Sequence, residues 1–323
     1  MRKGRTKKGI AVIALLVLIT VIIGGWKAAG TAGSPLNDSH VITIAYLPIT
    51  HALPLFEAKK QIEAESSWKV ELVKYGSWPE LMDALSTGRV DGASVLMELA
   101  VRAREQNIGL TGAALGHHEG NAIVVQNNIS SVDELKGKKI AIPHKLSTHN
   151  LLIREMLSEH GLSPEDVTLI ELSPAEMPAA LKTGQISAYC VAEPFGAKAV
   201  ENGFGKVLYQ ADDLWKDSVC CGLVFTDSYL KKQYDGAKIF TRAYSKAGKT
   251  LDASKEEELS IASENFKAPK DVLKQSLEWI SFSDLHITKT EYNTMISRMK
   301  QENLTKEPPA YEEFVDNGLL GGN

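Results

Sequence analysis

From Val41 onward the apolar residues switch between two periods. "HVITIAYLP" alternates apolar and polar positions and carries β-branched residues, which predicts a strand, while "PLFEAKKQIEAE" has the spacing of an amphipathic helix. "WKVELVKYG" predicts a second strand. "SWPELMDALSTG" predicts a helix opened by Ser77 as N-cap, with Pro79 in the first turn, Glu80 at the capping-box position and Gly88 as the stop. "VDGASVL" is a third strand. Strands alternating with helices require crossover connections, so the fold class is α/β with parallel-type sheets and flanking helices.

The pattern then begins again. "KKIAIP" leads to a strand, "THNLLIREMLSEHG" to a helix closed by Gly161, "VTLIELS" to a strand, "PAEMPAALKTG" to a helix and "ISAYCV" to a strand. "ELMDALSTGRVDGASV" and "EMPAALKTGQISAYCV" lie 96 residues apart, with identities at Glu80/Glu176, Ala84/Ala180, Leu85/Leu181, Thr87/Thr183, Gly88/Gly184 and Val95/Val191. At a spacing of 98, "ITHALPLFE" matches "STHNLLIRE" through Thr50/Thr148, His51/His149, Leu53/Leu151 and Glu57/Glu155. Two ordered matches at nearly one spacing predict two similar lobes. In open α/β sheets the binding crevice lies outside the carboxyl ends of the strands, where loops enter helices. Pro48, Thr50 and His51 occupy that place in the first lobe, and Ser147, Thr148 and His149 in the second. Free N–H groups and hydroxyls there suit a polar or anionic ligand, although Ser147 or Thr148 acting only as a helix cap accounts for its presence equally well.

Composition narrows the class. With 323 residues, 44% hydrophobic and 24% charged, the chain can bury a sizeable core. Its net charge of −4 conceals a basic start, Arg2, Lys3, Arg5, Lys7 and Lys8, with no acid before Asp38. The rest is acidic, which excludes a nucleic-acid partner. The basic start runs into Ile10–Ile23 and then small residues, the layout of an export signal; residues 1–33 are expected to be a cleaved signal peptide or an uncleaved membrane anchor. No cysteine follows the apolar run, so lipid attachment has no support. Cys190, Cys220 and Cys221 form no disulfide framework and are expected to be small buried apolar side chains. His117 and His118 are adjacent on extended backbone and face opposite ways, so no metal site is expected, and no cofactor.

The run from "PHKLSTHNLLIREML" through "LKTGQISAYCVAEPFGAKAVENGFGKVLYQADDLWKD", with "GSWPELMDALSTGRVDGA" before it, resembles the extracytoplasmic solute-binding proteins of bacterial ABC importers, in the branch handling nitrate, bicarbonate, sulfonates and taurine. The resemblance spans about Val41 to Leu230. It implies a type II periplasmic-binding fold: lobe I over 40–126, lobe II over 127–211, and a return to lobe I with C-terminal helices over 212–323, hinged near 126–130 and 210–222. Trp78 and His149 match pocket residues of nitrate- and bicarbonate-binding relatives. Asn121 stands where those have a glutamine that donates to the anion, and Glu193, in "AEPF", is similar to a residue at the second lobe's cleft edge.

One departure bears on the ligand. Nitrate-type members follow the "W-K-D" motif with a longer loop containing a lysine, whereas here it reads "WKDSVCCGLVF", a shorter segment with no basic residue after the motif. No carboxylate cluster matches the calcium site of bicarbonate relatives. The expected ligand is a small anion, a sulfonate or a small heterocycle, delivered to ABC permease subunits outside the membrane. The chain is not expected to be an enzyme. The competing classes are an exported ligand sensor and an enzyme of the related pyrimidine-synthesis type, whose cysteine-rich motif Cys220-Cys221 only faintly echoes.

Overall fold

The structure, a computed structural model, describes residues 40–321. The export segment expected over 1–33 therefore lies outside the described residues. The first half runs β1 (Val41–Tyr46), α1 (Leu53–Glu65), β2 (Lys69–Lys74), α2 (Trp78–Ser86), β3 (Gly92–Leu96), α3 (Met97–Glu105) and β4 (Leu110–Leu115). After the short strand β5 (His118–Glu119), the second half runs β6 (Asn121–Val125), β7 (Lys139–Ile142), α4 (Thr148–Glu159), β8 (Thr168–Glu171), α5 (Met177–Lys182), β9 (Ala188–Ala192), α6 (Phe195–Glu201), β10 (Lys206–Gln210) and α7 (Ala211–Leu214). The chain returns through β11 (Cys221–Thr226) and ends in α8 (Asp227–Ala253), α9 (Lys255–Asn265), α10 (Lys270–Glu278), β12 (Ile280–Ser281), α11 (Lys289–Gln301) and α12 (Tyr311–Phe314).

Two five-stranded sheets result, with the same layout. The first is ordered β2-β1-β3-β11-β4 and the second β8-β7-β9-β6-β10. In each, four strands point the same way and one runs antiparallel to both its neighbours: β11 against β3 and β4, and β6 against β9 and β10. The sheets are thus mixed, with a parallel core of three. β6 belongs to the second sheet, so the chain leaves the first half at residues 116–120, ahead of the expected 126–130. It returns through residues 215–220.

The repeated "LxTG" has a local cause in both halves. Thr87 Oγ1 donates to Asp83 O at 2.6 Å and Thr183 Oγ1 to Ala179 O at 2.9 Å, satisfying a carbonyl of the last helical turn. Gly88 at φ +69° and Gly184 at φ +74° then turn the chain left-handed, a conformation costly for residues with a Cβ. The C-terminal helices cover the first half, α8 packing on α1, β11 and β4, while α10 reaches α6 of the second half. Two ion pairs join α4 to α11: Arg154–Glu302 at 2.7 Å and Arg298–Glu155 at 2.6 Å.

Candidate functional site

β11 runs against β3 and β4, so its first residues lie beside their carboxyl ends: Cys221 pairs with Leu96 and Gly222 with Leu115. This edge collects side chains from four loops. His51 sits in the short turn Thr50–Ala52 past β1, Glu98 in the first turn of α3, His117 just past β4, and Cys220 and Cys221 at the start of β11. From the second sheet, Asn121 opens β6, His149 lies in the first turn of α4, and Glu193 follows β9. His51, His117, Asn121, His149, Cys220 and Cys221 are each at most 3% exposed.

Short distances tie these residues together. His51 Nε2 donates to Gly120 O at 2.8 Å, which fixes the tautomer and leaves Nδ1 with a free lone pair, 4.0 Å from Cys220 Sγ. Cys220 Sγ lies 3.8 Å from Asn121 Oδ1 and 3.8 Å from Cys221 Sγ. The rings of His51 and His117 stack with centroids 3.5 Å apart. Both ring nitrogens of His117, both of His149, and Nδ2 of Asn121 have no hydrogen-bond partner. Buried polar atoms are almost always paired. Five such atoms, on His117, His149 and Asn121, depart from that rule.

Burial also sets the charge states. It lowers the pKa of His51 to about 3 against the opposing hydrogen bond to Gly120, and that of His149 to about 3 with His117 adding to the effect. His117 is lowered as well, by burial and by its neighbour His51. At neutral pH all three imidazoles are uncharged. Burial raises the Glu98 and Glu193 carboxyls to about 8 and pushes the Cys221 thiol up.

The two halves touch directly across the cleft. Thr148 Oγ1 contacts both a carboxyl oxygen of Glu98 and the carbonyl of Val219. A hydroxyl has one proton to give, so a protonated Glu98 donating to Thr148 satisfies all three groups, in keeping with its raised pKa. Thr50 N donates to Glu193 O at 2.8 Å, and Ser276 Oγ donates to Thr50 Oγ1 at 3.3 Å.

The structure brings His51, Asn121 and His149 of the expected residues to the cluster. Thr50, Thr148 and Glu193 form contacts between the halves; Glu193 Oε2 also accepts from Ala197 N at 3.0 Å. Ser147 caps α4, accepting from Asn150 N at 3.2 Å, and donates to His144 O. Pro48 is half-buried beside β1. Trp78 lines a separate groove of about 470 Å³ with Leu99, Arg102 and residues 144–146, and that groove contains none of the three histidines. Sequence reasoning missed His117, Glu98, Cys220 and Cys221. It took the cysteines for apolar filler and expected no metal-ligand cluster, but His51, His117, Cys220 and Cys221 converge with their donor atoms all within 4.8 Å. His118 does point away from His117, its Nε2 3.0 Å from Asp284 O. Only Glu98 carried a signal, falling just past the predicted strand "VDGASVL"; the strands that bring in His117 and the two cysteines, β4 and β11, were not predicted.

Residues 37–264 match the model of the NMT1-like family. The chain belongs to that family. Among solved structures, the ligand binding component of an ABC-type import system from Staphylococcus aureus, with zinc bound, is 40% identical, covers 87% of this chain and 98% of its own length, and superposes with a TM-score of 0.84. The periplasmic nitrate-binding protein NrtA from Synechocystis is 21% identical over 87% of each chain with a TM-score of 0.79, a likeness of fold. The bicarbonate transport ATP-binding protein CmpC of Synechocystis is 29% identical over 198 residues, 54% of this chain; the chain spans 30% of that relative's length. The architecture is the periplasmic-binding-protein fold. Among the described residues, no helix is long and apolar enough to cross a membrane.

Proposed function

We propose that the chain is the solute-binding component of an ABC importer, working outside the membrane and closing its two halves over a small solute. The observation that carries this reading is the cleft itself: equivalent loops of two like sheets deliver buried, unpartnered polar atoms to one place. Such a cleft binds most tightly when both halves contact the solute, so the solute shifts the population toward closure. The crossing segments 116–120 and 215–220 are the natural hinge. The N-terminal basic and apolar segment supplies export, as a signal or an anchor. The relatives' names make a small anion the first expectation for the solute, and the neutral donors of Asn121 and His149 suit one. The staphylococcal relative adds a metal ion to that expectation.

Binding is favoured over catalysis by the same geometry. Cys220 and His51 are the nearest pair to a nucleophile and base, but their 4.0 Å separation is long for proton transfer and both are closed off from solvent. The test is to cross-link the full chain in the membranes of cells that produce it and identify its neighbours. An integral permease with its ATPase is expected. A signalling receptor or kinase in their place would turn the reading to a ligand sensor, and no membrane partner at all would sink it.

A further inference from the structure

We propose that His51, His117, Cys220 and Cys221 are the ligands of one divalent metal ion of the zinc class, and that this ion is the solute the cleft captures; the second clause rests on the importer reading above.

The geometry is that of a small tetrahedral seat. A metal–sulfur bond of about 2.3 Å and a metal–nitrogen bond of about 2.0–2.1 Å give tetrahedron edges of roughly 3.3–3.8 Å. The two sulfurs stand 3.8 Å apart, already at the expected edge, and Cys220 Sγ is 4.0 Å from His51 Nδ1. All four donor atoms lie within 4.8 Å of one another, so side-chain rotations of about an ångström complete the shell. Four atoms this close leave room between them for a single atom. A nitrate or sulfonate group does not fit there.

The surroundings complete the case. His51 is oriented as metal-binding imidazoles are, its outer nitrogen donating to the carbonyl of Gly120 and its inner lone pair turned toward the sulfurs. His117 is buried with both nitrogens unpartnered, an expense that a bound ion reduces by taking one of them. Two neutral imidazoles and two thiolates around a 2+ ion make a complex of zero net charge, the arrangement least penalised in an interior lacking counter-charges. On ligation each thiol releases its proton to solvent, two per ion. The donor set of two sulfurs and two nitrogens selects against calcium and magnesium, which take oxygen ligands. All four ligands belong to the first half or its crossing segments, so the ion loads onto an open first half. Asn121 and His149 of the second half then cover it.

The full chain, purified under a phosphine reductant and stripped with a chelator, is to be titrated with Zn2+, and with Co2+ as a spectroscopic stand-in. One ion per chain is expected, with thiolate-to-metal charge-transfer absorption and the intense visible bands of tetrahedral cobalt. Cys220→Ser, Cys221→Ser and His117→Gln should each lose more affinity than the roughly 10–100-fold that removal of a supporting group costs. His118→Ala should bind as the parent does. Variants that fold and bind like the parent overturn the assignment. Should a variant fail to fold, zinc-edge X-ray absorption of the parent decides: two sulfur neighbours at about 2.3 Å support the site, and a shell of oxygen and nitrogen alone overturns it. If zinc binds there yet cells lacking the chain take up zinc at the parental rate, the ligand assignment stands and its role as imported solute falls. If no metal binds while nitrate or an alkanesulfonate raises the melting temperature, the importer reading stands and the metal proposal falls.

Discussion

His51 and His149 close equivalent first loops in two like halves, yet the molecule treats them differently. His51 is held in a turn whose preceding residue, Ile49, offers no side-chain cap, and its ring is anchored outward on Gly120 O. His149 rides in a helix capped by Ser147, and neither ring nitrogen is bonded. One histidine is fixed by the backbone before any ligand arrives; the other is buried and unspent. The first half is therefore the platform and the second the cover.

The largest test of that difference replaces each ring by a similar apolar volume. His51→Leu should destabilise the ligand-free chain by about 1–3 kcal/mol, since Gly120 O loses its donor, while His149→Leu should leave stability unchanged or slightly raised. His149→Ala should instead weaken solute binding by about 1–3 kcal/mol through an unpaired group. Denaturant midpoints and titration calorimetry check both, and equal losses of stability at the two positions would erase the distinction between platform and cover.

A smaller effect follows from the carboxyls just past β3 and β9. Glu98 and Glu193 both have pKa values raised to about 8 from 4.5, so the folded chain holds more protons than the unfolded one between those values. Stability from these groups is present at low pH and declines as pH rises toward 8. The buried histidines, whose pKa values are lowered, act on stability only below about 6.5. The contribution of Glu258, raised by burial to about 7, declines over the same window, so single variants at Glu98 and Glu193 separate the contributions. Glu98→Gln and Glu193→Gln should each flatten the decline in urea midpoint across that window; an unchanged slope in both would show that the carboxyls ionise freely.

The smallest effect concerns Glu155 and its counterpart Glu57. Glu57 makes only local contacts, with Lys60 at 3.5 Å and Gln61 at 2.8 Å, whereas Glu155 pairs with Arg298 across the halves. With side chains about a quarter to a third exposed, these ion pairs contribute less than about 1 kcal/mol each. Arg154→Gln should barely move the melting temperature but should make solute affinity less sensitive to salt. A salt response identical to the parent's would remove the clasp from the closing motion.

Much of this was legible in the chain. Ser77 caps where its spacing to Glu80 said it would, and the doubled "LxTG" and "Thr-His" found matching places in two sheets of like order. What was not legible came from strands that cross between halves. β6 reads like a continuation of the first half, and only its pairing with β9 and β10 moves it to the second. The four-ligand cluster was hidden for the same reason: His51, His117 and Cys220 are far apart in sequence and meet only because β11 returns between β3 and β4. Local pattern carries caps and periods, but it does not carry which strand comes back to which sheet.

That return has a consequence for the order in which the protein is made. The second sheet is built from residues 121–210, a continuous stretch that completes itself as soon as it has been synthesised. The first sheet has a gap between β3 and β4 until residues 221–226 emerge, leaving the edge of an entirely buried strand unpaired while the whole second half is being made. The first sheet is the later to finish, and for that interval β3 and β4 each keep an unpaired edge.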